Sequence, residues 1–204
     1  MTISHHLSLE SELVLLRPIN KEDILSFEKL VYEKSLWDYF TLELNKPGQL
    51  EKWIEIALEN RSENSRIPFT IIDKSRNKIA GSSSYGSISF FDKRIEIGWS
   101  WLGKEFQGTG INFHAKFLLL SYAFDVLNFE RVEIKTDNLN ERAKQALRKI
   151  GATEEGVLRS HMQMPNNRRR DSVYFSILKN QWPEIKKGIF AGIKQFSYFE
   201  NEHA

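Results

Sequence analysis

The stretch RIEIGWSWLGKEFQGTGIN, Arg94 to Asn112, carries the reading of the whole chain. Its first half alternates: Ile95, Ile97, Trp99 and Trp101 fall on one side of an extended chain, with Glu96, Gly98 and Ser100 on the other. That period of two is a strand. Its second half, Gln107-Gly108-Thr109-Gly110, sits directly before an apolar stripe at helical spacing, Phe113, Phe117, Leu120, Phe124 and Leu127. The stripe predicts a helix from about Asn112 to Leu127. Glycines let backbone N–H groups crowd toward an anion, and a helix start adds its dipole, so this turn reads as a pyrophosphate site. A plain tight turn would use the same dipeptide. The dinucleotide fingerprint needs a third glycine where Phe113 stands, and the nucleotide-triphosphate loop needs Gly-Lys-Ser/Thr, which the sequence lacks.

Working outward, Leu13 to Arg17 is an apolar run closed by Pro18 and predicts a first strand. Asn20 is expected to cap a helix reaching about Lys34, and Pro47-Gly48 to open a second one. That second helix carries Leu50, Trp53, Ile54, Ala57 and Leu58 at helical spacing. Arg61 to Arg66 is polar and loop-like. Phe69 to Ile72, Ile79 to Ile88 and Arg94 to Trp101 are three successive strands separated by Lys74–Asn77 and Phe91–Lys93. Beyond the central helix come a strand (Arg131 to Thr136), a helix (Asn140 to Ile150) stopped by Gly151, and two strands (Gly156 to Met162, Arg170 to Leu178) around Pro165-Asn166-Asn167. The tail after Trp182 is weakly helical. The order predicts one domain with a mixed α/β sheet covered by helices on both faces.

Composition bounds the function. The 204 residues carry 29 basic and 27 acidic side chains, too balanced for a nucleic-acid or polybasic membrane partner. There is no cysteine, which removes disulfides, thiolate nucleophiles and cysteine-based metal sites. No histidine or carboxylate cluster suggests a metal. Met1 to Glu10 has no apolar core of a signal peptide, and the longest apolar stretch, Phe117 to Leu120, cannot span a bilayer, so a cytoplasmic location is expected. His5-His6 is expected to fray, and His114 to lie on a helix surface or pack.

These residues resemble the GNAT superfamily of N-acetyltransferases, whose signature is Gln/Arg-x-x-Gly-x-Gly/Ala between strand and helix. Gln107, Gly108, Thr109, Gly110 and Ile111 match it, and Asn112 departs at the last position, where it could act as a helix N-cap. Leu15-Leu16-Arg17-Pro18 with Glu22-Asp23, Asp137 to Arg142, Lys149 to Ala152, Gly156 to Arg159 and Arg170 to Ser176 are similar to the ribosomal-protein (RimJ/RimL-like) branch. The resemblance spans about Leu13 to Trp182, with residues 183–204 as an extension. It implies a GNAT fold in which the family's fourth and fifth strands are parallel and splay apart, and it implies acetyl-CoA as co-substrate with no metal. The backbone at Trp101 and Leu102 would pair with the pantetheine arm. The pyrophosphate would lie on Gln107, Gly108, Thr109, Gly110, Ile111 and Asn112, and Asn140 would meet the arm or merely cap its helix.

The implied reaction is attack of a neutral primary amine, on a protein N-terminus or a small molecule, on the thioester. It needs a base, a donor to the carbonyl oxygen and an acid for the thiolate. Glu96, a carboxylate in an apolar strand, is the candidate base, because desolvation would raise its pKa; alternatively it is exposed and paired with Arg94. The family's usual acid positions are Leu147 and Ala143 here, so neither hydroxyl is present. Tyr174, His161, Ser100 or water remain as acids. That gap keeps open a CoA-binding module without turnover, and a nucleotide-dependent oxidoreductase or ligase is a third alternative. Trp37, Tyr39 and Trp53 are expected to wall the acceptor pocket, and Arg168-Arg169-Arg170 to be a solvated turn or, alternatively, to steer an acidic acceptor or the cofactor phosphates. Ile189, Phe190, Ile193 and Phe196 of the extension could pack on a partner subunit of a homo-oligomer.

Overall fold

The computed structural model of the chain describes residues 2–200. In chain order its elements are β1 (Ser8–Glu10), β2 (Val14–Pro18), α1 (Ile24–Val31), α2 (Gln49–Ser62), β3 (Arg66–Asp73), β4 (Lys78–Ser89), β5 (Arg94–Leu102), α3 (Ile111–Ser121), β6 (Arg131–Asp137), α4 (Glu141–Lys149), β7 (Thr153–Gln163), β8 (Arg169–Leu178), α5 (Trp182–Gly188) and β9 (Ser197–Phe199). One nine-stranded sheet runs in the order β7-β8-β6-β5-β4-β3-β2-β1-β9. Every neighbouring pair is antiparallel except β5 with β6. A parallel pair cannot be joined by a hairpin, so the chain must cross over, and α3 is that crossover. The mixed sheet is as the element order predicts, and the parallel pair as the family resemblance implies.

α1 and α2 cover one face of the sheet and α3 the other. Ladder partners share a face and successive residues alternate, so Ser82 with Trp101 lies on one side and Tyr85 with Ile97 on the opposite side. On the first side Trp101 packs edge-on against Phe27 of α1 at 5.2 Å and Trp53 of α2 at 6.1 Å between ring centroids. On the second side the Tyr85 hydroxyl donates to the carbonyl of Leu119 in α3.

This placement corrects the simple alternation read for Arg94 to Trp101. Between the pairs Ser82↔Trp101 and Ser84↔Gly98, one residue of β4 (Ser83) opposes two of β5 (Trp99 and Ser100). The extra residue is a β-bulge, which breaks the ladder and re-aims the strand. Trp99 adopts φ +52°, unusual for a bulky side chain, and the face changes across it. Trp99 lies over Gly86, where any Cβ would come within 2.4 Å of the indole. Ile97 and Trp101 thus face opposite sides of the sheet, against the period-two expectation.

The two ends of the chain differ from expectation as well. Leu7 and Leu9 are fully buried, and β1 joins the sheet beside β2 instead of fraying; His5 bonds Asn64 at 2.8 Å. The C-terminal extension returns to the same sheet as β9, paired with β1. Its Phe190 is buried against Phe113 and Phe117 of α3, at 4.6 and 5.4 Å, and Phe196 packs on Phe117. Of the residues expected to reach a partner subunit, Phe190 and Phe196 thus cover α3 of their own chain, Ile193 packs partly buried against the core, and Ile189 is 39% exposed. Residues 201–204 of that extension lie outside the described residues. The first helix is also shorter than predicted, entered by a 3-10 turn over Lys21–Asp23 and ended at Val31.

Candidate active site between two parting strands

The parallel pairing of β5 with β6 is short. It joins Arg94 to Arg131, Ile95 to Val132 and Glu96 to Glu133, and stops there. Past Glu96 the bulge at Trp99 and Ser100 turns β5 away, and among the described residues no strand pairs with the β6-facing edge of its last six residues, Ile97 to Leu102. The parted strands open a cavity of about 420 Å³. Its walls come from β5 (Glu96 to Leu102), β6 (Ile134 to Thr136), α4 and its N-cap (Ala143, Leu147 and Asn140) and α3 (Asn112, Lys116), with Tyr39 and Thr41 from the segment between α1 and α2.

At one end lies the glycine turn. Gly108 has φ +76° and Gly110 φ +90°, left-handed conformations that a side chain would strain, and α3 starts directly after them. Space is not what excludes a side chain at Gly108, because nothing lies within 4 Å of a Cβ built there. The requirement is conformational. Gln107 ties the turn to the strand end, its Nε2 donating to the carbonyl of Leu102 at 3.1 Å, while Thr109 Oγ1 donates to the carbonyl of Phe106 at 2.7 Å. From α4, Arg142 donates to Gln107 Oε1 at 2.5 Å, bringing a cation to the turn. The helix N-cap is Gly110, so Asn112 lies inside the first turn of α3 and not at its cap as expected. Asn140 caps α4, its Oδ1 accepting from the backbone N–H of Ala143 at 3.0 Å, and it also lines the cavity. A helix start with left-handed glycines, a free strand edge and a nearby guanidinium fits a phosphate-ended ligand with an extended arm.

At the other end lies Glu96, 4% exposed. Register places it on the α1/α2 face with Gly98 beside it. Its Oε2 accepts from Lys135 Nζ at 2.7 Å and from Ser87 Oγ at 3.0 Å. Ser87 reaches it because a second bulge, two residues of β4 between Gly86↔Glu96 and Ser89↔Arg94, swings that hydroxyl inward. The expected partner Arg94 points elsewhere, to Asp92 and Glu133. Glu96 is therefore neither an exposed strand residue nor an isolated desolvated carboxylate, but an ion-paired one facing the cavity.

Besides Glu96, four charged side chains line this space: Lys116, Lys135, Arg142 and Arg170, of which Lys116 and Lys135 were not expected there. Lys135 could have been suspected only from strand register, Lys116 only from helix phase. Arg170 is 7% exposed, and burial holds its guanidinium below the ordinary arginine range despite the attraction of Asp137. Arg168 pairs with the fully buried Asp137. The three arginines are thus not the solvated turn that was expected, because two of them turn inward. Trp37 and Trp53 are also misplaced by the sequence reading. They stand behind Trp101 in the aromatic cluster, and of the three expected wall residues Tyr39 lines the cavity. Among the described residues no group of three or more His, Asp, Glu or Cys is placed to hold a metal ion, and no helix is long and apolar enough to cross a membrane.

Comparison with known proteins agrees with this geometry. YdaF of Bacillus subtilis, provisionally named a ribosomal N-acetyltransferase, is 33% identical over 150 residues, 66% of this chain and 80% of its own length. Spermidine N(1)-acetyltransferase of Escherichia coli K12 is 26% identical over 170 residues, 83% of this chain and 88% of its own. A crystal structure from T. thermophilus, provisionally described as an acetyltransferase, superposes with a TM-score of 0.82 at 32% identity, over 91% of this chain and 96% of that one. Mycobacterium smegmatis RimJ, solved with CoA-disulfide, shares the fold at TM-score 0.76 and 18% identity, over 91% of this chain and 93% of that one. The model of the acetyltransferase (GNAT) domain matches residues 14–153, which run from β2 through α4 and hold most of the cavity wall. The chain belongs to the GNAT family of acetyltransferases, enzymes that carry an acetyl group from acetyl-CoA to an amine.

Proposed function

We propose that this enzyme binds acetyl-CoA with its phosphates on Gln107, Gly108, Thr109, Gly110, Ile111 and Asn112, and transfers the acetyl group to a primary amine held beside Glu96. What supports the reading is the parting of β5 from β6 just past Glu96, which sets a free strand edge between the glycine turn and a buried carboxylate. The edge at Trp101 and Leu102 would receive the pantetheine arm as an added strand, and Asn140 would meet its amides. When bound, acetyl-CoA supplies an activated acyl carbon on a good leaving group.

The chain's own residues then do three things. The turn and Arg142 hold charge at the cofactor end. The aromatic cluster behind Trp101 keeps the strand edge rigid and dry, so that the acyl carbon is presented in one orientation. Glu96 takes the proton from the attacking nitrogen, directly or through one water, while Lys135 and Ser87 hold the carboxylate toward the cavity.

For the acceptor we favour a peptide N-terminus, on the resemblance of the chain to ribosomal-protein acetyltransferases, with a small amine as the competing acceptor. A thiol-release assay with acetyl-CoA and a panel of N-terminal peptides, polyamines and amino acids tests this. Turnover on the peptides above all supports it, and turnover on spermidine alone overturns the acceptor. A second reading, a binding module without turnover, rests on Leu147 and Ala143, whose apolar side chains line the cavity where a hydroxyl acid would stand. Tight acetyl-CoA binding with no turnover on any amine would select it.

A further inference from the structure

Acyl transfer from a thioester ends with an electron pair on sulfur. A proton donor at that point speeds release, yet α4 offers none here: Leu147 and Ala143 face the cavity without hydroxyls. On the opposite wall stands a group that the cofactor and base assignments leave unused. Lys116 of α3 is 5% exposed and lines the same cavity. Its Nζ donates to Ser100 Oγ at 2.7 Å, and Ser100 in turn lies 2.7 Å from Ser83 Oγ. Ser100 is one of the two bulge residues of β5, at the point where the strand leaves β6.

No carboxylate lies within ion-pair distance of Lys116 among the described residues. The other charged side chains lining the cavity are Glu96 of β5, Lys135 of β6, Arg142 of α4 and Arg170 of β8. Glu96 is already paired with Lys135, so three cations and no free acid share the space with Lys116. A buried lysine without a counter-ion is costly to keep unless its charge or its proton is used. Burial pushes its ammonium down to about 7, so it can both hold and release a proton near neutrality. Nothing in the packing of α3 demands an amine at this position, for its neighbours Ala115, Phe117 and Leu118 are all apolar and buried.

We propose that the Lys116–Ser100 pair is the proton donor to the leaving sulfur. The inference rests on the reading of this cavity as the acyl-transfer site. As the C–S bond breaks and its electron pair passes to sulfur, the Ser100 hydroxyl gives its proton to sulfur and takes one from Lys116 Nζ. Lys116 is left as a neutral amine and regains a proton from solvent once the thiol departs. The proton taken from the attacking nitrogen by Glu96 leaves to solvent in the same cycle, so the count closes. Ser100 touches the reacting atom; Lys116 acts through it and by its charge.

A test independent of turnover uses CoA itself. Its thiol, like an alkyl thiol in general, ionises well above neutrality in water, and in the complex thiolate and ammonium would stabilise each other, so that the pair forms at lower pH than the free thiolate does. The thiolate absorbance of CoA bound to the full chain should therefore rise at lower pH than that of free CoA. In Lys116→Met the shift should vanish, and in Lys116→Arg it should persist because the charge is kept. Circular dichroism of both variants checks that the fold is intact. The kcat should fall about 100-fold in Lys116→Met, with CoA affinity within about threefold, and Lys116→Arg should not restore it. If bound CoA titrates identically in wild type and Lys116→Met, the proposal is wrong. If CoA does not bind the wild-type chain at all, the failure is that of the proposed function instead.

Discussion

The two ends of the cavity are built in different ways. The proposed cofactor end is made of backbone: two left-handed glycines, the first N–H groups of α3 and a strand edge, all within the nineteen-residue stretch Arg94 to Asn112. The proposed reactive end is made of side chains from four elements: Glu96 and Ser100 from β5, Ser87 from β4, Lys116 from α3 and Lys135 from β6. A backbone site needs only local conformation, which glycine spacing dictates. A side-chain site needs distant strands in a particular register, and here two bulges in the β4–β5 pair decide it. The first should tolerate almost any change that preserves the turn, whereas the second should fail with single atoms.

The largest test of that contrast is Gly110→Trp. A bulky residue at φ +90° should strain the turn and cover the proposed phosphate position, lowering acetyl-CoA affinity more than about 100-fold by calorimetry while circular dichroism stays native. Retained affinity would show that the turn is only a turn. Next comes Glu96→Gln, which keeps the shape but removes the carboxylate proposed as base. We expect kcat to fall about 100-fold with acetyl-CoA affinity within about threefold, and an unchanged pH–rate profile would remove Glu96 from the role.

Away from both ends, Asp23 anchors the start of α1 to the sheet. Burial pushes its carboxyl up, but hydrogen bonds from Arg17, Thr70 and the Asn20 backbone outweigh it and hold the pKa below the ordinary aspartate value. A depressed folded value means that the stabilisation is complete above about pH 4 and is lost as pH falls through the folded value. Asp23→Asn should therefore cost about 2 kcal/mol at neutral pH in urea unfolding, with the difference from wild type shrinking in acid. A constant difference down to about pH 2 would sink this account. The smallest effect is expected from removing residues 196–204. That exposes β1 and breaks the Tyr122–Glu200 hydrogen bond of 2.6 Å, lowering Tm by roughly 4–8 °C per kcal/mol lost on the scale of a small domain, and less for a chain of this size. The kcat should not move, since none of the described residues in that segment lines the cavity; a large loss of activity would assign the extension a role at the site.

Much of the molecule was legible without coordinates. The order of the main strands and helices, the glycine turn and the cap at Asn140 follow from periodicity and from residue types whose backbone preferences are local. Glu96 could be singled out as a carboxylate in an apolar strand, though its partner could not. The period-two rule misassigned Trp99, because a bulge is one residue inserted without any change in composition. The terminal strands β1 and β9 were missed for a similar reason. Three residues carry too little pattern, and only pairing across the sheet makes them strands.

The sequence by itself determined that a glycine turn joins a strand to a helix, and with its neighbours that the fold is that of an acetyltransferase. Only the tertiary structure decided which side chains meet there: that Lys135, not Arg94, holds Glu96, and that Lys116 stands behind the bulge with Ser100. The physical reason is range. Glycine conformations and helix starts are set by neighbours in the chain, whereas the contents of the cavity are set by where β5 and β6 part, which depends on the packing of the whole sheet.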